Sequence, residues 1–252
     1  MLPTPVPHDG CRFDQSTEAQ GSDPPRARLG PSGSGRLRRL FLARHGRSEW
    51  NGQARVTGQI DVPLTPEGRK QAEILAQLLR GEPLCAVFAS ALARAHETAR
   101  PTALAHGLPV QLRDELMEVH RGVLQGRFHD DRDPQAREVW RALSRERAHY
   151  RVPNGESFAD MESRVLACLE EILGCAGESA LVVAHTNPNR VILATLLGWP
   201  RHVAVRVPIQ RKFLYEIALG HQARVRTIRI DEKKPGRTYD GFRASLAEDR
   251  FA

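Results

Sequence analysis

The feature that most restricts what this chain can fold into is a set of short, wholly apolar runs set far apart. They are "LFLA" at 40–43, "AVFAS" at 86–90 and "ALVVA" at 180–184. A strand with one wet face alternates apolar and polar residues, whereas an unbroken apolar run is covered on both faces. Strands of that kind belong to parallel sheets with helices above and below. The intervening sequence supplies the helices. Thr65-Pro66-Glu67 places a capping hydroxyl before a proline at the first helical position, and the helical pattern continues to Gly81. A second helix is expected to follow Ser90 and run through Ala105, and a polar one spans Pro134 to Arg147. Another opens at Ser157, with Asp160 three residues on, and runs to about Leu173; a last one covers Arg190 to Leu197. Further strands are expected at Arg39–Ala43 and Val110–Arg113, and Lys212–Leu219 with Arg224–Ile230 reads as a hairpin about "GHQ". The expected fold class is α/β, a single three-layer α/β/α domain with a mostly parallel sheet.

The pattern occupies residues 37–230 of the 252. Residues 1–36 are rich in Pro, Gly, Ser, Arg and acids without apolar periodicity, so a disordered tail is expected there, and 231–252 reads as a polar C-terminal tail. The formal charge is +7, but the cations are nearly all arginine and lie scattered, with no basic block and no nucleic-acid-binding motif. A nucleic-acid partner is therefore not expected; pockets for anionic small molecules are. Cys11, Cys85, Cys168 and Cys175 form no CxxC pair and no zinc spacing. Reduced thiols and a cytoplasmic location are expected. Neither a signal-peptide pattern nor a run long enough to span a membrane is visible, so no membrane association is expected. The oligomeric state stays open, with a homodimer among the options.

Chemistry collects where the apolar runs stop. The first ends in Arg44-His45-Gly46, the second in Ser90 with Arg94 one helical turn on, and the fourth strand in His185. Ligands of open α/β sheets bind at the carboxyl ends of strands. Two arginines and two histidines on one edge repel each other unless an anion lies among them, and guanidinium forks suit a phosphoryl group. A single histidine at a strand end is more often structural than reactive; the coincidence of several such ends is what points to a site.

Five ordered blocks then resemble the histidine phosphatase superfamily, the phosphoglycerate mutase-like group, over about Leu40 to Ile230. They are "RHGRSEWNGQARVTGQIDVPLTPEGRKQAE", "SALARAHETA", "ELMEVHRGVLQG", "PNGESFADMESRV" and "VVAHTNPNRVIL". The resemblance implies a phosphomonoesterase with a small phosphorylated metabolite as substrate and with no cofactor and no metal. It implies that His45 attacks phosphorus to form a phosphohistidine, that Arg44, Arg94 and His185 hold the phosphoryl oxygens with help from Asn51, and that Glu118 is the general acid and base. These roles suit the chemistry. A histidine attacks only when neutral, which neighbouring cations favour, and a carbonyl near Gly46 can fix its tautomer.

The sequence also departs from the commoner family pattern. Thr186 follows the second histidine where Gly is usual, and "HTNPNR" resembles the version found in metal-independent phosphoserine phosphatases. Thr57 before Gly58 replaces a frequent Gln, and Leu124 stands where Trp is common. His120 and Arg121 follow Glu118 where aromatic or acidic residues are frequent; with Thr57, Gly58 and Thr186 they are candidate substrate contacts, and His120 and Arg121 together read as a second anion site. Between Gly126 and Gly155 lies one short polar stretch, too short to seal a phosphoenzyme from water, which favours hydrolysis over the phosphoryl return of a mutase. A cofactor-dependent mutase and a phospho-ligand-binding pseudoenzyme are the alternatives.

Overall fold

The computed structural model describes residues 37–128 and 133–245. Seven strands form one sheet: β1 (Arg39–Arg44), β2 (Leu84–Ser90), β3 (Val110–Arg113), β4 (Ser179–Ala184), β5 (Phe213–Ala218), β6 (Arg224–Arg229) and β7 (Thr238–Asp240), in the order β3-β2-β4-β1-β5-β6-β7. The four strands from β3 to β1 are parallel to their neighbours, and β5, β6 and β7 continue the sheet antiparallel. The expected α/β class therefore holds. The antiparallel pairing of β5 with β6 follows from connection length, because the five-residue link at 219–223 allows only a hairpin.

The apolar runs serve both faces at once. Phe41, Ala43, Val87, Ala89, Leu181 and Val183 pack against α1 (Pro66–Leu79) and α2 (Ala93–Ala105). Leu40, Leu42, Phe88, Val182 and Ala184 face the core built with α4 (Phe158–Leu173) and α5 (Thr186–Leu197). Each large side chain buried this completely contributes about 1.5–3 kcal/mol. The α1 and α4 caps form as expected: Thr65 Oγ1 accepts from Gly68 N at 3.1 Å, and Ser157 Oγ accepts from Asp160 N at 3.1 Å. A polar α3 (Pro134–Arg145) packs through Ala136 and Leu143 on a separate small cluster with Val56, Leu124 and Val152. A short α6 (Arg201–Ala204) was not foreseen.

Two sequence expectations need correction. The last long helix starts at Thr186, not Arg190, because Pro188 lies in its first turn, where a missing N–H costs nothing. The ordered structure also runs past residue 230. Thr238–Asp240 pairs with β6, and Phe242 stacks on Tyr215 at 5.1 Å and meets Trp199 edge-on at 5.2 Å. The polar composition of 231–240 hid this strand, since an edge strand buries few side chains. The expected tail at 1–36 lies outside the described residues. Among the described residues, no helix is long and apolar enough to cross a membrane.

The aromatic contact makes the C-terminal strap part of the domain's stability. Phe242→Ala is expected to lower the unfolding free energy by about 2 kcal/mol in a urea titration.

Candidate active site

The site is built where β1, β2 and β4 end side by side. Arg44 is the last residue of β1 and stands opposite Ala184 of β4. His45 continues β1, and its N–H donates to Ala184 O at 3.0 Å. His185, the residue before α5, lies beside it, the two ring centroids 5.0 Å apart. Asn189 of α5 donates to Ala43 O at 3.0 Å, which ties the start of α5 to the end of β1. On the other side, Gly46 N donates to Thr98 Oγ1 at 2.9 Å, linking the same turn to α2. Gly46 is required by close packing: a Cβ there would lie 2.5 Å from Gly68 O at the start of α1.

Nδ1 of His45 lies 2.7 Å from Gly46 O. A carbonyl only accepts, so Nδ1 carries the proton and Nε2 keeps its lone pair. The tautomer expected from the sequence is thus held by the following residue's backbone. Burial, then Arg44 and Arg94, hold His45 well below the ordinary imidazole value. Burial, then Arg94, does the same to His185. His185 Nε2 meets Ser90 Oγ at 2.8 Å, and Ser90 Oγ accepts from Leu92 N at 3.3 Å, so the hydroxyl proton is free to point at Nε2 and leave Nδ1 as a donor.

Arg94 is buried and Arg44 half-buried, and carbonyls fix both. Arg94 donates to Gly58 O at 2.7 Å and Ile60 O at 2.9 Å; Arg44 donates to Ile209 O at 3.0 Å. Burial pulls Arg44 down to about 9 and Arg94 to about 10, so both remain cations at neutral pH. Among the described residues, Arg44 Nε, Arg94 Nε and His185 Nδ1 are buried with no hydrogen-bond partner. Buried donors left without acceptors at one edge of the sheet suit an anionic ligand. Arg211, which the sequence reading passed over, adds its charge beside Arg44 and His45.

Glu118 sits across from this cage. Its Oε1 accepts from Val119 N and from Asn187 Nδ2, each at 2.9 Å, while Oε2 has no partner among the described residues. Its backbone is clamped: Arg164 donates to Glu115 O at 2.6 Å, Met117 O at 2.9 Å and Glu118 O at 3.1 Å, and Gln59 Nε2 also reaches Glu118 O at 2.9 Å. Glu156 holds Arg164 by two contacts of 2.9 Å and accepts from His120 N at 2.9 Å. Arg164, Glu156 and Asn187 were not singled out from the sequence, although "GES", "ESRV" and "HTNPNR" contain them.

The remaining sequence candidates divide. Asn51 Oδ1 accepts from Ser48 N and Oγ, both at 2.9 Å, capping the 3₁₀ turn Glu49–Gln53 and leaving Nδ2 with no acceptor. Gly58 holds Arg94 through its carbonyl at a φ of 53°, and Thr57 O accepts from Ile60 N at 3.0 Å, so both shape the cage through backbone. Thr186 opens α5, whose positive end faces the cage. Arg121 lines a cavity beside Asn187, but His120 does not; its Nδ1 accepts from Gly122 N at 3.2 Å and turns back onto its own loop.

Two measurements follow from this geometry. Both imidazoles are neutral when folded and take up protons when unfolded below about pH 6.5. Stability is therefore full above that value and falls as pH drops through it. The urea midpoint in phosphate-free buffer is expected to decline between pH 7 and 5, and less steeply in His45→Gln. Arg164→Lys keeps the charge but loses the fork, so hydrogen exchange at the His120 amide should rise about tenfold while β1 and β4 stay protected.

The family model of the histidine phosphatase superfamily (branch 1) matches residues 40–230. A Yersinia enterocolitica protein named "Probable phosphoglycerate mutase GpmB" is 34% identical over 172 residues, 68% of this chain and 80% of that protein. The crystal structure of alpha-ribazole phosphatase from Shigella flexneri superposes with a TM-score of 0.66 at 30% identity, covering 73% of this chain and 93% of that one. Mycobacterial glucosyl-3-phosphoglycerate phosphatase gives a TM-score of 0.63 at 28% identity, over 75% and 96% of the two chains. With strand ends, cage and sequence pattern in agreement over nearly the whole described chain, the protein belongs to the histidine phosphatase superfamily.

Proposed function

We propose that the chain is a metal-independent phosphomonoesterase that works through a phosphohistidine on His45. One observation carries the reading: His45, with Nδ1 held by Gly46 O and Nε2 left bare, lies 5.0 Å from the His185 ring at the edge where Arg44, Arg94 and His185 bury polar atoms that lack acceptors among the described residues. A phosphoryl group supplies those acceptors and the electrophile together. The Nε2 lone pair attacks phosphorus and the ester P–O bond breaks. The leaving alkoxide takes a proton from the Glu118 carboxylic acid. The resulting carboxylate then takes a proton from water, whose oxygen attacks phosphorus as the P–N bond breaks, releasing phosphate and neutral His45.

Glu118 Oε1 is engaged by Val119 and Asn187, so Oε2 is the oxygen that exchanges the proton. The same charge that holds the phosphoryl oxygens keeps His45 neutral, so nucleophile and anion site support each other. Two structural relatives are named as phosphatases, in line with hydrolysis. The second reading, mutase-type phosphoryl transfer, is favoured by the name of the Yersinia relative alone. Against it stands the segment above the site, which contributes one twelve-residue helix among the described residues.

Hydrolysis of p-nitrophenyl phosphate is expected to persist in EDTA and to fall about a thousandfold or more in His45→Ala. Quenching in alkaline detergent should trap a phosphoprotein that is stable to alkali and lost on acid treatment, absent from the variant. An active His45→Ala enzyme would remove His45 as nucleophile, and an inactive wild type would leave a phospho-ligand binder.

A further inference from the structure

A cavity of about 160 Å³ opens beside Glu118, on the side of Asn187. Three arginines line it: Arg121 from the loop after Glu118, Arg147 from just beyond α3, and Arg190 from α5. No acidic side chain lines it among the described residues. Trp140 and Leu143 of α3 form an apolar wall. The guanidinium of Arg121 is only partly exposed, yet among the described residues it makes no hydrogen bond and no ion pair, and the exposed Arg147 side chain makes none either. Arg190 is held by Val207 O at 2.6 Å and Asn187 Oδ1 at 2.9 Å, which leaves its Nη2 unused.

Cations brought this close depress one another: Arg121 and Arg147 both bear on Arg190, and Arg147 on Arg121. Glu118 bears on Arg121 and Arg190, and Glu156 on Arg121; the proposed reaction uses Glu118 in its protonated form, and Glu156 is already paired with Arg164. The cluster therefore has no resident counter-charge of its own. Glu118 gives its proton to the leaving oxygen, so the leaving group extends past Glu118, toward Asn187 and this cavity.

We propose that the cavity is a leaving-group subsite for substrates whose alcohol carries a second anion, a carboxylate or a phosphate, bound by Arg121, Arg147 and Arg190 with the carbon skeleton against Trp140 and Leu143. The inference rests on the phosphatase reading and deepens it by naming the substrate class. It also replaces the pair expected from the sequence, since Arg147 and Arg190 stand where His120 was expected.

Two esters that differ in one group test it. Glycerol 3-phosphate has a hydroxymethyl where 3-phosphoglycerate has a carboxylate, and propane-1,3-diol bisphosphate carries a second phosphate. Wild type is expected to show kcat/KM at least tenfold higher for the carboxylate ester or the bisphosphate than for glycerol 3-phosphate, and the better of the two identifies the anion. Arg121→Ala and the exposed Arg147→Ala should each reduce that ratio to about threefold or less, mainly through KM. A wild type without preference, or variants that slow all esters equally, would overturn the subsite. Calorimetry on His45→Ala separates this from the phosphatase reading. Tenfold tighter binding of either anion-bearing ester supports the subsite even if no ester is hydrolysed. Equal Kd values for all three reject it even if p-nitrophenyl phosphate is turned over.

Discussion

Arg44 lies opposite Ala184 in a parallel pair, and most of the site depends on that register. It sets His45 against His185 and fixes both at the moment each strand leaves the sheet. A slip of one residue would turn Phe41 and Leu42 to the wrong faces, so burial on both sides of β1 enforces the register. The sheet's hydrophobic packing thus holds two cationic arginines at a spacing their charges oppose, beside two imidazoles kept neutral. Burying an unpaired ion costs on the order of several kcal/mol. Here the cost is limited by carbonyls: Gly58, Ile60 and Ile209 each accept from a guanidinium, and Gly46 accepts from His45.

Glu118 presents the opposite problem, a carboxyl on a loop that must still be placed accurately. No strand ends there. Arg164 reaches from α4 to the carbonyls of Glu115, Met117 and Glu118, and Glu156 orients Arg164 while also gripping His120 N. The fork geometry of arginine suits this task because several carbonyls are bound by one planar group. The loop is in effect fastened to a helix, and the helix to the core through Met161, Val165 and Leu169.

The region between Leu124 and Val152 is organised separately. Its small cluster of Val56, Leu124, Ala136, Leu143 and Val152 is distinct from the two cores flanking the sheet. A wall built on a satellite cluster can vary without disturbing the sheet, while the cage cannot. That separation fixes the strand-end edge while its wall is free to differ, the general division between a rigid scaffold and its loops.

Residues near in sequence were legible without coordinates. The apolar runs announced doubly covered strands, Thr65 and Ser157 announced helix starts, and Arg44-His45, Arg94 and His185 announced an anion site because each follows a strand signal directly or within one helical turn. Glu118 was recognised only through a resemblance, since nothing in its local pattern separates it from other acids. The tertiary structure decided the rest. Arg164 acts across 46 residues to hold Glu118, Asn187 reaches Glu118 across 69, and β7 joins the sheet through a polar edge that no apolar pattern marks. It also exchanged His120 for Arg147 and Arg190 at the cavity. A sequence records which side chains a local element can bury, because burial has a period. Which distant groups share a hydrogen bond or a charge has no period, and only the folded chain determines it.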